Sequence, residues 1–242
     1  MNRIFQAPWG IRDLIYYFLA TATILGFGVL SIYYWGINLS IKTSEYKSFY
    51  FLLLYLLQCI ALILPIIVIS IKKNCLSSAS FGVIKMKFWK VIGESLKGYG
   101  KYIGITFMVG IFMFFTGIKI PGYEMQEEIL PLFGNTIFSM LIAGIMIIGI
   151  APVIEELVFR GFILRTLVDK IGGTWGTIIT SGIFALLHLQ LKSIIPIFIL
   201  GLIINSLVIK NKSLYPAIAF HILNNSIAFI LELLLFFEII KI

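Results

Sequence analysis

The sequence predicts an all-α fold, a polytopic transmembrane helical bundle of about seven spans, and three observations carry that expectation. Of the 242 residues, 60% are hydrophobic and only 12% are charged, whereas a soluble domain carries about a quarter charged residues. Apolar stretches at 14–36, 49–71 and 137–154 have the length, roughly 17–25 residues, that a helix needs to cross the hydrocarbon layer. Lys and Arg, which give the chain a formal net charge of +8, gather in the short connections between such stretches, where the positive-inside bias puts them. No water-soluble fold could bury this much apolar surface. The charge is explained by the lipid bilayer as partner, with no nucleic acid involved.

Each element follows in order. Met1–Asp13 is short and polar, and the apolar stretch after it runs too long for the core of a cleaved signal. The first span is therefore read as retained, at 14–36. Further spans are expected at 49–71, 98–117, 136–154, 174–190, 194–210 and 214–240. The connection 72–97 carries Lys72, Lys73, Lys85, Lys87, Lys90 and Lys97, whereas 117–135 carries Lys119 with Glu124, Glu127 and Glu128. With the basic connection in the cytoplasm the acidic one lies outside, and Arg3, Arg12, Arg160, Arg165, Lys170, Lys210 and Lys212 also fall inside. The expectation is an integral, multi-pass protein with a cytoplasmic N-terminus. The Ile-, Lys- and Asn-rich composition points to a bacterial cell membrane.

Other features are structural. Segment 78–97 interleaves lysines with aromatic rings, as a segment on the membrane surface does, and as an ordinary basic loop can. Gly100 and Gly104 have the small-xxx-small spacing of close helix packing. Cys59 and Cys75 make no disulfide framework and suggest no metal cluster. Residues 1–135 read as N-terminal spans with the basic loop and 136–242 as the core that carries chemistry, in one integrated membrane domain.

Ionisable side chains within spans cost about 2.5–3.5 kcal/mol each on insertion scales, so an apolar chain exposes its functional candidates by contrast. The two histidines of the sequence, His188 and His221, both lie in apolar helices. A third polar cluster is Glu155-Glu156 with Arg160. Glu156 and Arg160 are four apart, on one helical face, and can form an ion pair. Glu155 points about 100° away at helical pitch, leaving its carboxylate free to meet another helix. Phe184 shares a face with His188 and can wall a pocket around it; His221 and Asn225 share a face in the last span. Converging from three helices, these groups would make a compact hydrolytic site. Glu155 would take a proton from water with help from His188, while His221 and Asn225 would donate to the oxyanion.

The pattern Glu-Glu-x-x-x-Arg at 155–160, Phe-x-x-x-His at 184–188 and His-x-x-x-Asn at 221–225 resembles the motif set of the CAAX-protease and bacteriocin-processing (CPBP/Abi) family. Flanking residues agree, with Phe-Arg-Gly at 159–161, Phe-Ala-Leu-Leu-His-Leu at 184–189 and Ser-Leu-Tyr-Pro-Ala-Ile-Ala-Phe-His at 213–221. The resemblance covers roughly 136–230. It implies an all-helical membrane endopeptidase acting on a membrane-associated peptide or protein, with Glu155 as catalytic glutamate and His188 as its partner. It further implies an oxyanion site at His221 and Asn225, with Asn224 as a neighbouring alternative, and an anchoring ion pair between Glu156 and Arg160.

Two matters stay open in the sequence. Glu155, His188 and His221 could hold zinc or another divalent metal with one position left for water, but no His-Glu-x-x-His helix is present, and a metal-independent glutamate gives every residue a task. A non-catalytic peptide-binding or bacteriocin self-immunity protein of the same fold is the alternative to an enzyme. A proton-relaying transporter is a third reading, and it leaves the Asn225 spacing without a reason. Simple alternation of spans also puts Glu155 and His188 roughly 20 Å apart, unless the chain breaks at 149–152 or the fifth span is short and tilted.

Overall fold

The computed structural model describes residues 5–38, 44–126, 130–134 and 136–239; Arg3, Glu127 and Glu128, used above to orient the spans, lie outside them. All regular elements among the described residues are helical: α1 (Ile11–Asn38), α2 (Ser44–Lys72), α3 (Phe88–Thr116), the single turn α4 (Leu130–Phe133), α5 (Ile137–Ile171), α6 (Gly173–Leu187), α7 (Ile194–Asn211) and α8 (Tyr215–Phe236). Six of the helices are long and apolar enough to cross a membrane, and α6 is a shorter apolar helix. The chain is an integral, multi-pass membrane protein.

Two proline positions show how such helices stay intact. Pro65 lies inside α2 and has no N–H to give the carbonyl four residues back, that of Ala61. Thr21 of α1 donates its hydroxyl to that carbonyl at 3.1 Å, so the neighbouring helix supplies what the proline withholds. Gly28 lets the two helices close, since a Cβ there would stand 2.3 Å from the Leu57 side chain. At the other end of the pair, Asp13 meets Lys73 at 2.9 Å. The second proline, Pro152, lies within α5 and bears on the site.

The boundaries differ most between 136 and 190. The expected span 136–154 continues unbroken to Ile171, for 35 residues, so no break forms at 149–152. The expected span 174–190 is the 15-residue α6, about 22 Å long and short of the ~30 Å hydrocarbon thickness. α5 and α6 form a hairpin about Gly172, whose φ of +88° and ψ of 165° suit only glycine. Gly176 then packs flush on α5, where a Cβ would stand 2.8 Å from the Val168 backbone nitrogen. The third span also begins earlier than expected, at Phe88, so the lysine- and ring-bearing segment divides into an irregular stretch to Lys87 and the first turns of α3.

One apolar core runs through both halves of the chain. Trp9, Tyr17 and Ile66 pack in the same cluster as Phe162, Phe184, Ile204 and Phe220. A smaller cluster joins Leu130 and Phe133 to Met140 and Phe229, and there Glu232 accepts from the backbone N–H of Leu130.

Candidate active site

The hairpin resolves the separation that alternating spans implied. Glu155 lies sixteen residues before Ile171 and His188 fifteen after Gly173, about 24 and 22 Å along antiparallel helices. Arms of matched length bring the two residues to the same level.

Locally, α5 is not a uniform α-helix. It opens into π turns at Ile145–Ile150 and Glu156–Leu164, on either side of the α-helical stretch Ala151–Glu155; such widenings often occur at functional sites. Glu155 and Glu156 stand at the junction of the second. The imidazole of His221, from α8, lies between them. Its Nδ1 donates to Glu156 Oε1 at 2.8 Å, and its Nε2 is 3.9 Å from Glu155 Oε2. The expected divergence of the two carboxylates is thus bridged by the two nitrogens of one ring.

Glu156 and Arg160 are wholly buried and 3.0 Å apart. The guanidinium is held on several sides, as a buried charge requires. Nε donates to Asn205 Oδ1 at 2.9 Å and Nη1 to Glu156 Oε1 at 3.0 Å, while Nη2 faces the Gly201 carbonyl at 3.5 Å. Its flat face lies 4.3 Å from the Phe184 ring centroid, a cation–π distance. Asn205 is fixed in turn by donating to Ser181 Oγ and to the Thr177 carbonyl.

His188 ends α6. Its Nδ1 is 2.7 Å from the Phe184 carbonyl, which can only accept, so Nδ1 carries the proton and Nε2 is left to face the site. That Nε2 is also 3.9 Å from Glu155 Oε2. Glu155 Oε2 is buried and accepts no hydrogen bond among the described residues. A spacing of 3.9 Å is too long for a direct hydrogen bond and short enough for one water to bridge.

Asn225 is the sequence-predicted residue whose placement differs most. Its Nδ2 donates to the Ile147 carbonyl at 2.9 Å, and its Oδ1 faces Asn224 Nδ2 at 3.4 Å. These bonds hold the amide against the first π turn of α5; they do not join it to a ring or carboxylate of the cluster.

The donor set of Glu155, His188 and His221 has the right chemistry for a metal but not the spacing. Among the described residues no group of three His, Cys, Asp or Glu side chains is arranged to hold a metal ion. Two donors of a tetrahedral site with bonds of 2.0–2.1 Å stand about 3.3 Å apart, well inside the 3.9 Å found for both histidines.

Sequence reasoning missed several contributors. Asn205, Gly201 and Ser181 hold Arg160 directly or at one remove; an amide within the apolar run of α7 was a signal, because intramembrane polar residues need partners. Tyr55 of α2 reaches α5 as well, donating to the Met146 carbonyl at 3.1 Å. Nothing in the sequence set Tyr55 apart from the other tyrosines of the N-terminal spans.

Residues 136–227 match the profile of the family described as type II CAAX prenyl endopeptidase, Rce1-like. The matched segment contains Glu155, Glu156, Arg160, Phe184, His188, His221, Asn224 and Asn225 and leaves out α1, α2 and α3. No curated protein and no solved structure matches the chain.

Proposed function

Starting from residues 136–227 as an Rce1-like domain of the CAAX endopeptidase family, we propose that the protein is an intramembrane endopeptidase that cleaves a peptide bond with water activated by Glu155. The observation that carries this reading is the convergence of two imidazole Nε2 atoms on one buried carboxylate oxygen, each at 3.9 Å.

A water placed between Glu155 Oε2 and His188 Nε2 donates one proton to each and turns its lone pairs outward to a substrate carbonyl. Glu155 takes one of these protons as the oxygen attacks the carbonyl carbon, a step in which a positioned base contributes about 10²–10⁴-fold. The carbonyl becomes a tetrahedral oxyanion. His221, when its Nε2 is protonated, and the second N–H of the Asn225 amide are its proposed donors; one such donor is worth about 10²–10³-fold. As the C–N bond breaks, the proton held by Glu155 passes to the leaving nitrogen, giving a carboxylic acid and an amine, between which the remaining water proton then passes to leave a carboxylate and an ammonium group. Glu156 and Arg160 stay outside the reaction and fix the His221 ring.

The substrate on this reading is a membrane-associated peptide or protein. The protein lies in a bacterial cell membrane with its N-terminus and the basic connection after α2 on the cytoplasmic side. The test is cleavage of a panel of membrane peptides, with and without an isoprenylated C-terminus, by purified protein. Cleavage by the wild type that Glu155→Gln removes supports the reading. A peptide bound by both forms and cut by neither turns it towards a binding protein.

A further inference from the structure

We propose that Tyr55 of α2 and Asn225 of α8 form a clamp on the first π turn of α5, and that this clamp sets the position of Glu155 between the two histidines. The inference rests on the reading of Glu155 as the reacting carboxylate, but the clamp itself rests on two side-chain bonds to backbone carbonyls.

In the π register, each carbonyl accepts from the N–H five residues on. Ala151 N–H accordingly donates to Met146 O. The next carbonyl, Ile147 O, would take its bond from residue 152, and Pro152 has no N–H to give. Ala151 is already committed to Met146, so Ile147 O is orphaned in the α register as well. A carbonyl left without a donor is costly within a membrane-spanning helix, because hydrocarbon offers no water to replace it. Asn225 Nδ2 supplies the missing donor at 2.9 Å. From α2, Tyr55 gives Met146 O a second bond at 3.1 Å.

Two consecutive carbonyls of α5 are therefore pinned by helices α2 and α8. Glu155 follows after two further turns, in a stretch that carries no other side-chain tether from the described residues. The bundle uses the same device at Pro65, where Thr21 donates to the carbonyl of Ala61; there it joins two spans, and here it joins three, about two turns before the reactive cluster. Tyr55 lies outside the matched segment 136–227, so the clamp gives the N-terminal spans a part in building the site. Tyr55 is a positioning residue, and the bond from Asn225 to Ile147 O is likewise a positioning bond, distinct from the oxyanion role proposed for its other N–H.

The chain has two histidines, both in the site, so their ring NMR signals report on it without any substrate. The test uses full-length protein in detergent with ¹⁵N- and ¹³C-labelled histidine, comparing wild type, Tyr55→Phe, Asn225→Leu, Pro152→Ala and the Pro152→Ala, Asn225→Leu double variant. Tyr55→Phe and Asn225→Leu are expected to shift the signals of both rings while the protein stays folded, because Glu155 faces both. Pro152→Ala restores an N–H to residue 152, so Asn225→Leu is expected to lower the unfolding midpoint less in that background and to move the rings less. Ring signals identical to wild type in both single variants would overturn the proposal, as would an Asn225→Leu effect of equal size with and without Pro152. None of these readouts requires peptide cleavage, so failure of the protease reading leaves the clamp testable.

Discussion

His221 Nδ1 donates to Glu156 Oε1 at 2.8 Å, onto the same oxygen that Arg160 Nη1 reaches at 3.0 Å. One carboxylate oxygen thus holds both a buried cation and the ring that stands against Glu155. A pair whose sequence spacing announces an anchor also orients the His221 ring that faces Glu155.

Glu156→Gln is therefore expected to cost about 3–5 kcal/mol, since it leaves the buried Arg160 uncompensated. The double variant Glu156→Gln, Arg160→Met is expected to cost less than the sum of the two single changes. Denaturation midpoints in detergent measure both, and strict additivity would mean that the two residues are not coupled.

Asn205→Leu keeps the size of the side chain but takes the acceptor from Arg160 Nε and the donor from Ser181. The expected loss is about 1.5–3 kcal/mol, the range for a hydrogen bond to a charged group. A change within ±0.5 kcal/mol, as at an ordinary surface position, would remove Asn205 from the network.

The hairpin that levels Glu155 with His188 turns on Gly172, at φ +88°. Gly172→Ala forces a side chain into a region that costs about 1–3 kcal/mol. Lowered thermal stability is the expected result, together with altered His188 ring signals and unchanged expression. A wild-type midpoint would show that the turn tolerates a Cβ.

What the sequence made legible, and what it hid, follows from where polar residues lie. Glu155, His188 and His221 stood out because a span has few ionisable residues, and helical spacing alone paired Glu156 with Arg160. The same charges concealed α5. Hydropathy falls across Glu155–Lys170, and a fall in hydropathy ordinarily marks the edge of a span, so the helix was expected to end at 154. It continues because its most deeply buried charges, Glu156 and Arg160, are held internally by each other and by His221, Asn205 and the Gly201 carbonyl. That hidden length produced the apparent 20 Å gap between Glu155 and His188. Tyr55 was hidden for a different reason: its partner is a backbone carbonyl exposed by a π turn, and no side-chain pattern encodes that turn.

Chelation tests the spacing argument. With Nε2 atoms 3.9 Å from the carboxylate oxygen, a site working through water alone is expected to keep its activity after treatment with a strong chelator. Activity lost on chelation and restored by a divalent ion would show that the three side chains close by several tenths of an ångström around a metal.

The most direct measurement is the cleavage rate of a membrane peptide by purified wild-type protein and by Glu155→Gln, with both shown to be folded by their unfolding midpoints. Replacing the carboxylate by its neutral isostere is expected to lower the rate by about 10²-fold or more, the scale of a lost general base. Equal rates from the two proteins would contradict the account, because the oxygen on which both histidines converge would then have no part in the reaction.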